Sequence, residues 1–223
     1  MKHSLEGFDL ISVRDNHTFN LIKSLNIKNI KKIIKTPDPT FMYKIKKTNV
    51  IEKLINSGVN LNKPILGIML SDKKLSAAVQ QYYKKKGYQI IALSNFNSYA
   101  DINLGNKINP FEFAEVFRYF TFCITDRFHG TIFCLKNKIP FISVDHSDIY
   151  LTLESKIYSL LKDFSLLESN YINIKKVKYN FEVFFNKAEK AQENLDYDKL
   201  SHNLEKMKEN SYDLIKMIGE LLK

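Results

Sequence analysis

The sequence predicts an α/β domain, a Rossmann-like parallel sheet flanked by helices, on three observations. From Pro64 onward, short apolar runs alternate with stretches of helical period, which is the rhythm of βαβ units. Those runs are apolar throughout rather than alternating with polar residues, as strands covered on both faces must be. Gly87, Pro110 and Pro140 punctuate the joints between them.

Taken in order, residues 8–15 place Phe8, Leu10, Ile11 and Val13 among smaller or polar residues and end in Arg14-Asp15. That pattern suits a strand that delivers a charged pair at its carboxyl end. Residues 16–25 read as a short helix. After a lysine-rich patch comes Thr36-Pro37-Asp38-Pro39-Thr40, whose two prolines forbid a regular helix and fix an extended turn. The segment reads as an interdomain hinge in which Asp38 closes a turn. Strand 65–70, helix 73–86 and strand 88–93 follow, then a loop rich in Asn and Ser. Pro110 opens a helix with Phe113, Val116, Phe117 and Phe120 on one face, a packing stripe rather than a ligand platform. Strand 122–125, a helix opened by residues 126–130, and strand 140–145 close the unit, so four strands with intervening helices make a doubly wound half-domain. Beyond Tyr150 the chain turns helical, with Leu153, Ile157, Leu160 and Leu161 at helical spacing. The segment 181–223 carries Leu195, Leu204, Met207, Leu214 and Ile218 among charges of both signs and reads as one or two long, exposed helices.

Composition narrows the partners. The chain has 223 residues, 44% of them hydrophobic, enough for a substantial core and against wholesale disorder. The formal charge of +10 comes chiefly from lysine, and no aromatic-interleaved basic strand or nucleic-acid motif accompanies it, so a nucleic-acid partner is not expected. Cys123 and Cys134 lie in apolar runs and form no CxxC pair, so they read as small buried hydrophobes rather than metal ligands or a disulfide. No apolar run approaches the roughly 18–20 residues that span a bilayer, and the first ten residues lack the apolar core of a signal peptide. The expected location is the cytoplasm. The lysine patch 28–53 would be a solvated face, with peripheral contact at the inner face of the membrane as its functional reading.

In open α/β sheets ligands gather where the strands' carboxyl ends meet helix amino termini. Thr125-Asp126-Arg127-Phe128-His129-Gly130-Thr131 occupies such a place, with an acid, a guanidinium, an imidazole and a glycine that lets backbone approach a ligand. Each has a plain alternative. A histidine ahead of a helix commonly caps or packs, and Arg14-Asp15 reads equally as an ordinary ion pair at a strand end. Asp145 and His146, after another strand, read as a loop cap that lies near the same cleft.

The runs Asn109-Pro110-Phe111-Glu112-Phe113, Cys123 through Phe133, and Ile139-Pro140-Phe141-Ile142 resemble the carboxyl-terminal signature of polysaccharide pyruvyl transferases. Ile11-Ser12-Val13-Arg14-Asp15 and Pro37-Asp38-Pro39-Thr40-Phe41 are similar to that family's mid-chain motifs, in the same order. The resemblance implies the carboxyl-terminal half of a GT-B-like two-domain fold. Residues 1–60 would be a remnant of the amino-terminal domain plus a hinge, 61–180 a Rossmann-like domain and 181–223 a helical extension. Most of the amino-terminal half would then be missing, or supplied by a partner chain.

The resemblance further implies a donor, phosphoenolpyruvate, a saccharide or lipid-linked saccharide acceptor, and no cofactor or metal. Such chemistry needs cations for phosphate and carboxylate, a proton donor for the methylene carbon and a base for the attacking hydroxyl. His129 suits proton transfer, because an imidazole can act as acid and then base near neutral pH. Arg14 and Arg127 suit forked bonds to the donor's anionic groups. Gly130 and Thr131 would line the donor at the helix start, Asp126 would orient His129 or cap that helix, and Asp15 would hold Arg14. Two alternatives share the fold: a nucleotide-sugar glycosyltransferase, and a non-catalytic half-domain that binds a saccharide or a partner.

Overall fold

The computed structural model describes residues 2–28, 30–147 and 154–221. The chain opens with α1 (Lys2–Leu5), β1 (Leu10–Val13), α2 (Asn16–Ser24) and β2 (Lys32–Lys35), and the two strands pair in parallel. Helix α3 (Val50–Asn56) leads into β3 (Ile65–Met69), α4 (Lys73–Lys85), β4 (Gln89–Ala92) and β5 (Ile102–Asn103). After α5 (Pro110–Val116) come β6 (Phe122–Thr125), α6 (Phe128–Asn137) and β7 (Phe141–Asp145). The remainder is α7 (Lys156–Asp163), α8 (Leu167–Asn170), β8 (Tyr171–Asn173), α9 (Phe181–Glu193) and α10 (Tyr197–Leu221).

Six of the strands form one parallel sheet in the order β5-β4-β3-β6-β7-β8. Alternate residues of the central strands serve two cores. Ile65, Met69, Cys123 and Phe141 pack with Phe117, Phe133, Leu161 and Leu204 on one side of the sheet. On the other, Leu66, Ile68, Phe122, Ile124 and Val144 pack with Val79 and Tyr83 of α4 and with Phe184 and Ala188 of α9. Burial on both faces is why these strands lack a polar alternation. The chain leaves β3 toward β4 and β5, then returns to β6 and continues toward β7 and β8. The carboxyl ends of β3 and β6 therefore flank the topological switch point, where such sheets open a crevice for ligands.

Local chemistry starts the helices, and Pro110 opens one as its position in the sequence predicts. Asp72 caps α4 through the Leu75 N–H at 2.8 Å, and Asn109 with Glu112 forms a reciprocal capping box ahead of Pro110 in α5. Both cysteines are buried and free.

The sheet exceeds the four expected strands by two edge strands, Ile102–Asn103 and Tyr171–Asn173. A third unexpected strand, β2, lies inside what reads as a lysine patch. The two-proline segment forms a single 3₁₀ turn, Pro39–Phe41, capped by Asp38. The carboxyl-terminal helices are half-buried rather than exposed. The ring of Phe185 on α9 stacks on Tyr82 of α4 at 3.9 Å, and Leu200, Leu204 and Met207 of α10 complete the opposite core. Tyr150 and Leu153 of the expected helical stretch lie outside the described residues, and α7 carries its remaining apolar positions.

A two-stranded parallel sheet of four-residue strands is marginal alone, so its attachment to the main domain matters. Lys35 of β2 pairs with Asp163 of α7 at 2.8 Å, and the Lys32 ammonium reaches the Met217 sulfur of α10 at 3.3 Å. Behind them Phe41 stacks on Phe164 at 5.8 Å, and Lys136 donates to the carbonyls of Thr40, Phe41 and Tyr43. Among the described residues no helix is long and apolar enough to cross a membrane.

Two glycines should respond oppositely to an added methyl. At Gly105 a Cβ would collide with the Ser94 carbonyl, backbone that cannot rotate away, whereas Gly219 of α10 faces open space. Urea denaturation should show Gly105→Ala destabilised by about 1–3 kcal/mol and Gly219→Ala unchanged or stabilised by up to about 1 kcal/mol.

Candidate functional site

The amino-terminal unit brings its charged residues to the carboxyl ends of β1 and β2. Arg14 follows β1 and donates to Asp38, which follows β2. The Asp38 side chain is 4% exposed, and it also accepts the Thr40 N–H at 2.9 Å as it caps the 3₁₀ turn. Burial alone would raise its carboxyl pKa, but the donors from Thr40 and Arg14 outweigh that and hold it below the ordinary value. Ser12 and Thr36 join their hydroxyls across the same strand ends.

From the main domain α6 meets this pair. His129, in its first turn, places Nε2 3.9 Å from the Asp38 carboxylate and remains 56% exposed. The Arg14 guanidinium lies 5.7 Å from the centre of the Phe128 ring. No side chain caps α6, so the positive end of the helix is available to an anion.

At the switch point itself Asp126 bridges β6 to β3. Its carboxylate, 3% exposed, accepts the Ser71 N–H at 2.6 Å and the Ser71 hydroxyl. His146 Nε2 lies 3.5 Å away, and Arg127 Nε is at ion-pair distance, 3.1 Å. Desolvation pushes this acid up, yet His146, Ser71 and Arg127 together draw it below the usual carboxylate range. Arg127 is 41% exposed, engaged through Nε alone among the described residues.

The structure thus brings Arg14 and His129 together through Asp38 and sets Arg127 on the same helix start, but it reassigns their supports. Asp15 does not hold Arg14; it caps α2, accepting the Thr18 N–H at 2.7 Å and the Thr18 hydroxyl at 3.0 Å. Asp126 neither orients His129 nor caps α6; it serves Arg127 and Ser71. Gly130 is buried, and what its missing side chain admits is Thr125 and the Met69 sulfur, not a ligand. Thr131 is fully buried and bonded to Ser143 at 2.8 Å, so it fastens α6 to β7. Asp145 is the loop cap expected of it, accepting from Ser147, Ser155 and Tyr171. Asp38, expected only to close a turn, does so and is also the acid that Arg14 and His129 share; its one sequence signal is an acid between two prolines.

Beside Arg14 and Asp38 opens a cavity of about 280 Å³, bounded by Phe41, Phe128, Leu160 of α7 and Met207 of α10. Among the described residues no group of three His, Cys, Asp or Glu side chains is placed to hold a metal ion.

A family model described as polysaccharide pyruvyl transferase matches residues 1–148. No curated protein matches the sequence. Among solved structures, a sucrose-phosphate synthase from Thermosynechococcus elongatus is similar with a TM-score of 0.51 and 10% identity, over 99% of this chain and 61% of that one. A variant of the wall teichoic acid polymerase TagF gives 0.45 and 17% identity over 96% of this chain and 59% of that one. A Streptomyces glycosyltransferase, SsfS6, complexed with thymidine diphosphate, gives 0.42 and 11% over 91% and 56%. The chain spans about three-fifths of the length of the solved structures it matches. The first of these likenesses bears on fold alone, and it agrees with a parallel sheet flanked by helices, as in half of a GT-B-like molecule.

The buried carboxylates set a pH dependence. Folded-state values held below the unfolded ones mean that Asp38, Asp126 and Asp145 stabilise the fold above the ordinary carboxylate range. That contribution is lost as pH falls through their depressed folded values. Thermal denaturation should find Asp126→Asn about 1.5–3 kcal/mol less stable at pH 7, the scale of hydrogen bonds to a charged group. The difference should shrink on acidification below about pH 4.

Proposed function

The chain belongs to the polysaccharide pyruvyl transferase family, and from that premise we propose that it transfers the pyruvyl group of phosphoenolpyruvate to two hydroxyls of a saccharide as a cyclic ketal. The observation that carries this reading is the convergence of Arg14, Asp38 and His129, from three separate stretches of the family-matched region, at one cleft. The saccharide would be a surface polysaccharide or its lipid-linked precursor.

The donor brings a phosphate and a carboxylate. Arg127 and the uncapped start of α6 supply a guanidinium and a helix dipole for one anionic group, and Arg14 a second guanidinium for the other. Protonated His129 gives its proton to the methylene carbon, making it a methyl group while C2 becomes electrophilic. The first acceptor hydroxyl bonds to C2 and returns its proton to His129. Phosphate then leaves C2, the second hydroxyl closes the ketal, and that hydroxyl's proton departs with phosphate. Asp38 is a positioning residue here: its carboxylate fixes Arg14 and stands 3.9 Å from the imidazole that passes the proton.

A glycosyltransferase of the same fold would need a nucleotide-sugar donor instead, and a binding half-domain would need no donor. Phosphoenolpyruvate, and not a nucleotide sugar, should raise the melting temperature. In the presence of saccharide acceptors, release of inorganic phosphate should accompany a new ketal methyl signal by proton NMR. His129→Ala should cut that rate about 10²–10⁴-fold, the usual share of a general acid–base group. Stabilisation by nucleotide sugars alone would favour the glycosyltransferase reading. Donor binding without transfer, in the chain joined to any missing half, would favour the binding module.

A further inference from the structure

The cavity beside Arg14 has a chemistry different from that of the helix start. Its floor is apolar, made by Phe41, Phe128, Leu160 and Met207, while along one wall of α10 Asn210 offers its amide and Asn203, whose Nδ2 donates to the Phe164 carbonyl at 3.1 Å, offers its amide oxygen. Several of its charges have partners within the fold. Arg14 pairs with Asp38, Lys35 with Asp163, and the Asp15 carboxylate holds the first turn of α2. The two remaining cations, Lys156 and Lys206, are solvent-exposed.

An apolar floor offers little to a trianionic donor, whose charges are better met at the mouth by Arg127, the end of α6 and the part of the Arg14 fork not bonded to Asp38. A sugar ring is the opposite kind of ligand: neutral, with a C–H face for apolar side chains and hydroxyls around its edge for amides. Small-molecule sites commonly combine an apolar lining with a few placed polar groups. The volume, about 280 Å³, suits one ring rather than a longer segment. Asp38 borders the cavity and also faces His129, so a hydroxyl of a ring bound there would approach the proton-transfer pair.

We propose that this cavity is the acceptor subsite, taking a single sugar ring, and that α7 and α10 select the sugar. The proposal rests on the pyruvyl-transfer reading for the word acceptor, but the sugar site stands on the lining alone. Leu160, Asn203, Met207 and Asn210 lie beyond residue 148, where the family match ends. Specificity would thus be set by the part of the chain that the family model does not cover.

The test uses the full chain labelled with ¹³C in its methionine methyls, titrated with methyl glycosides of glucose, galactose, mannose, N-acetylglucosamine and glucuronic acid. At least one should move the Met207 resonance saturably, with the buried Met69 methyl unmoved as the internal control. Asn210→Leu should weaken that glycoside about fivefold, the scale of one hydrogen bond, while phosphoenolpyruvate still raises the melting temperature. If phosphoenolpyruvate stabilises the chain and no glycoside moves Met207, the acceptor assignment falls and the donor reading survives. If phosphoenolpyruvate itself moves Met207 and competes with the glycoside, the cavity belongs to the donor and the proposal is overturned. If glycosides move Met207 but phosphoenolpyruvate neither binds nor stabilises, the sugar site stands and the pyruvyl reading fails.

Discussion

The Asp38 carboxylate is almost wholly removed from water, a position an ionised acid can hold only when donors replace the solvent it has lost. Arg14 and the Thr40 amide are those donors. The pairing has consequences in two directions. It ties the end of β1 to the turn after β2, giving a small and otherwise marginal sheet a fixed carboxyl edge. It also leaves a carboxylate and a guanidinium directed at the start of α6, where His129 stands. Without the pair the amino-terminal unit would lose its polar edge, and the imidazole would face a neutral wall.

The main domain contributes a second fixed acid by the same logic. Asp126 sits between the carboxyl ends of β3 and β6, the point where the chain's course through the sheet reverses. There it joins the two halves of the sheet through Ser71 and holds the Nε edge of Arg127. Two buried carboxylates, one per unit, thus set the directions of the two arginines, and α6 with His129 lies between them. The cleft is cationic at the start of α6 and apolar on the floor of the adjoining cavity, a division that suits an anionic donor and a neutral sugar in adjoining places.

The central strands were legible because burial on both faces leaves a mark in every residue, as in Ile65 to Met69. The edge strands were not. Ile102–Asn103 and Tyr171–Asn173 are too short to show a period, and β2 is two isoleucines between lysines, so register with a neighbour and not composition makes them strands. At the site the residue types were readable and their partnerships were not. Proximity in sequence points Arg14 to Asp15 and His129 to Asp126. Consecutive side chains leaving a strand point to opposite sides, so nearest neighbours are poor partners. The acid that meets both Arg14 and His129 is Asp38, in the adjacent strand's following turn, and only the parallel pairing of β1 with β2 brings it there. The expectation that Gly130 and Thr131 line a ligand meets a related difficulty. A glycine near a helix start admits close approach, but sequence does not say of what, and the neighbours are Thr125 and Met69.

If the site spans both units through Asp38, any stabilisation by phosphoenolpyruvate should depend on residues of both, and the direct comparison is of the wild type with Arg127→Ala, Arg14→Ala and Asp38→Asn. At about 100 times Kd, a bound donor stabilises by roughly 2.7 kcal/mol. This gain should fall in all three variants, including the two in the amino-terminal unit. A gain lost in Arg127→Ala but unchanged in Arg14→Ala and Asp38→Asn would confine the donor to the main domain and contradict a site shared between the units.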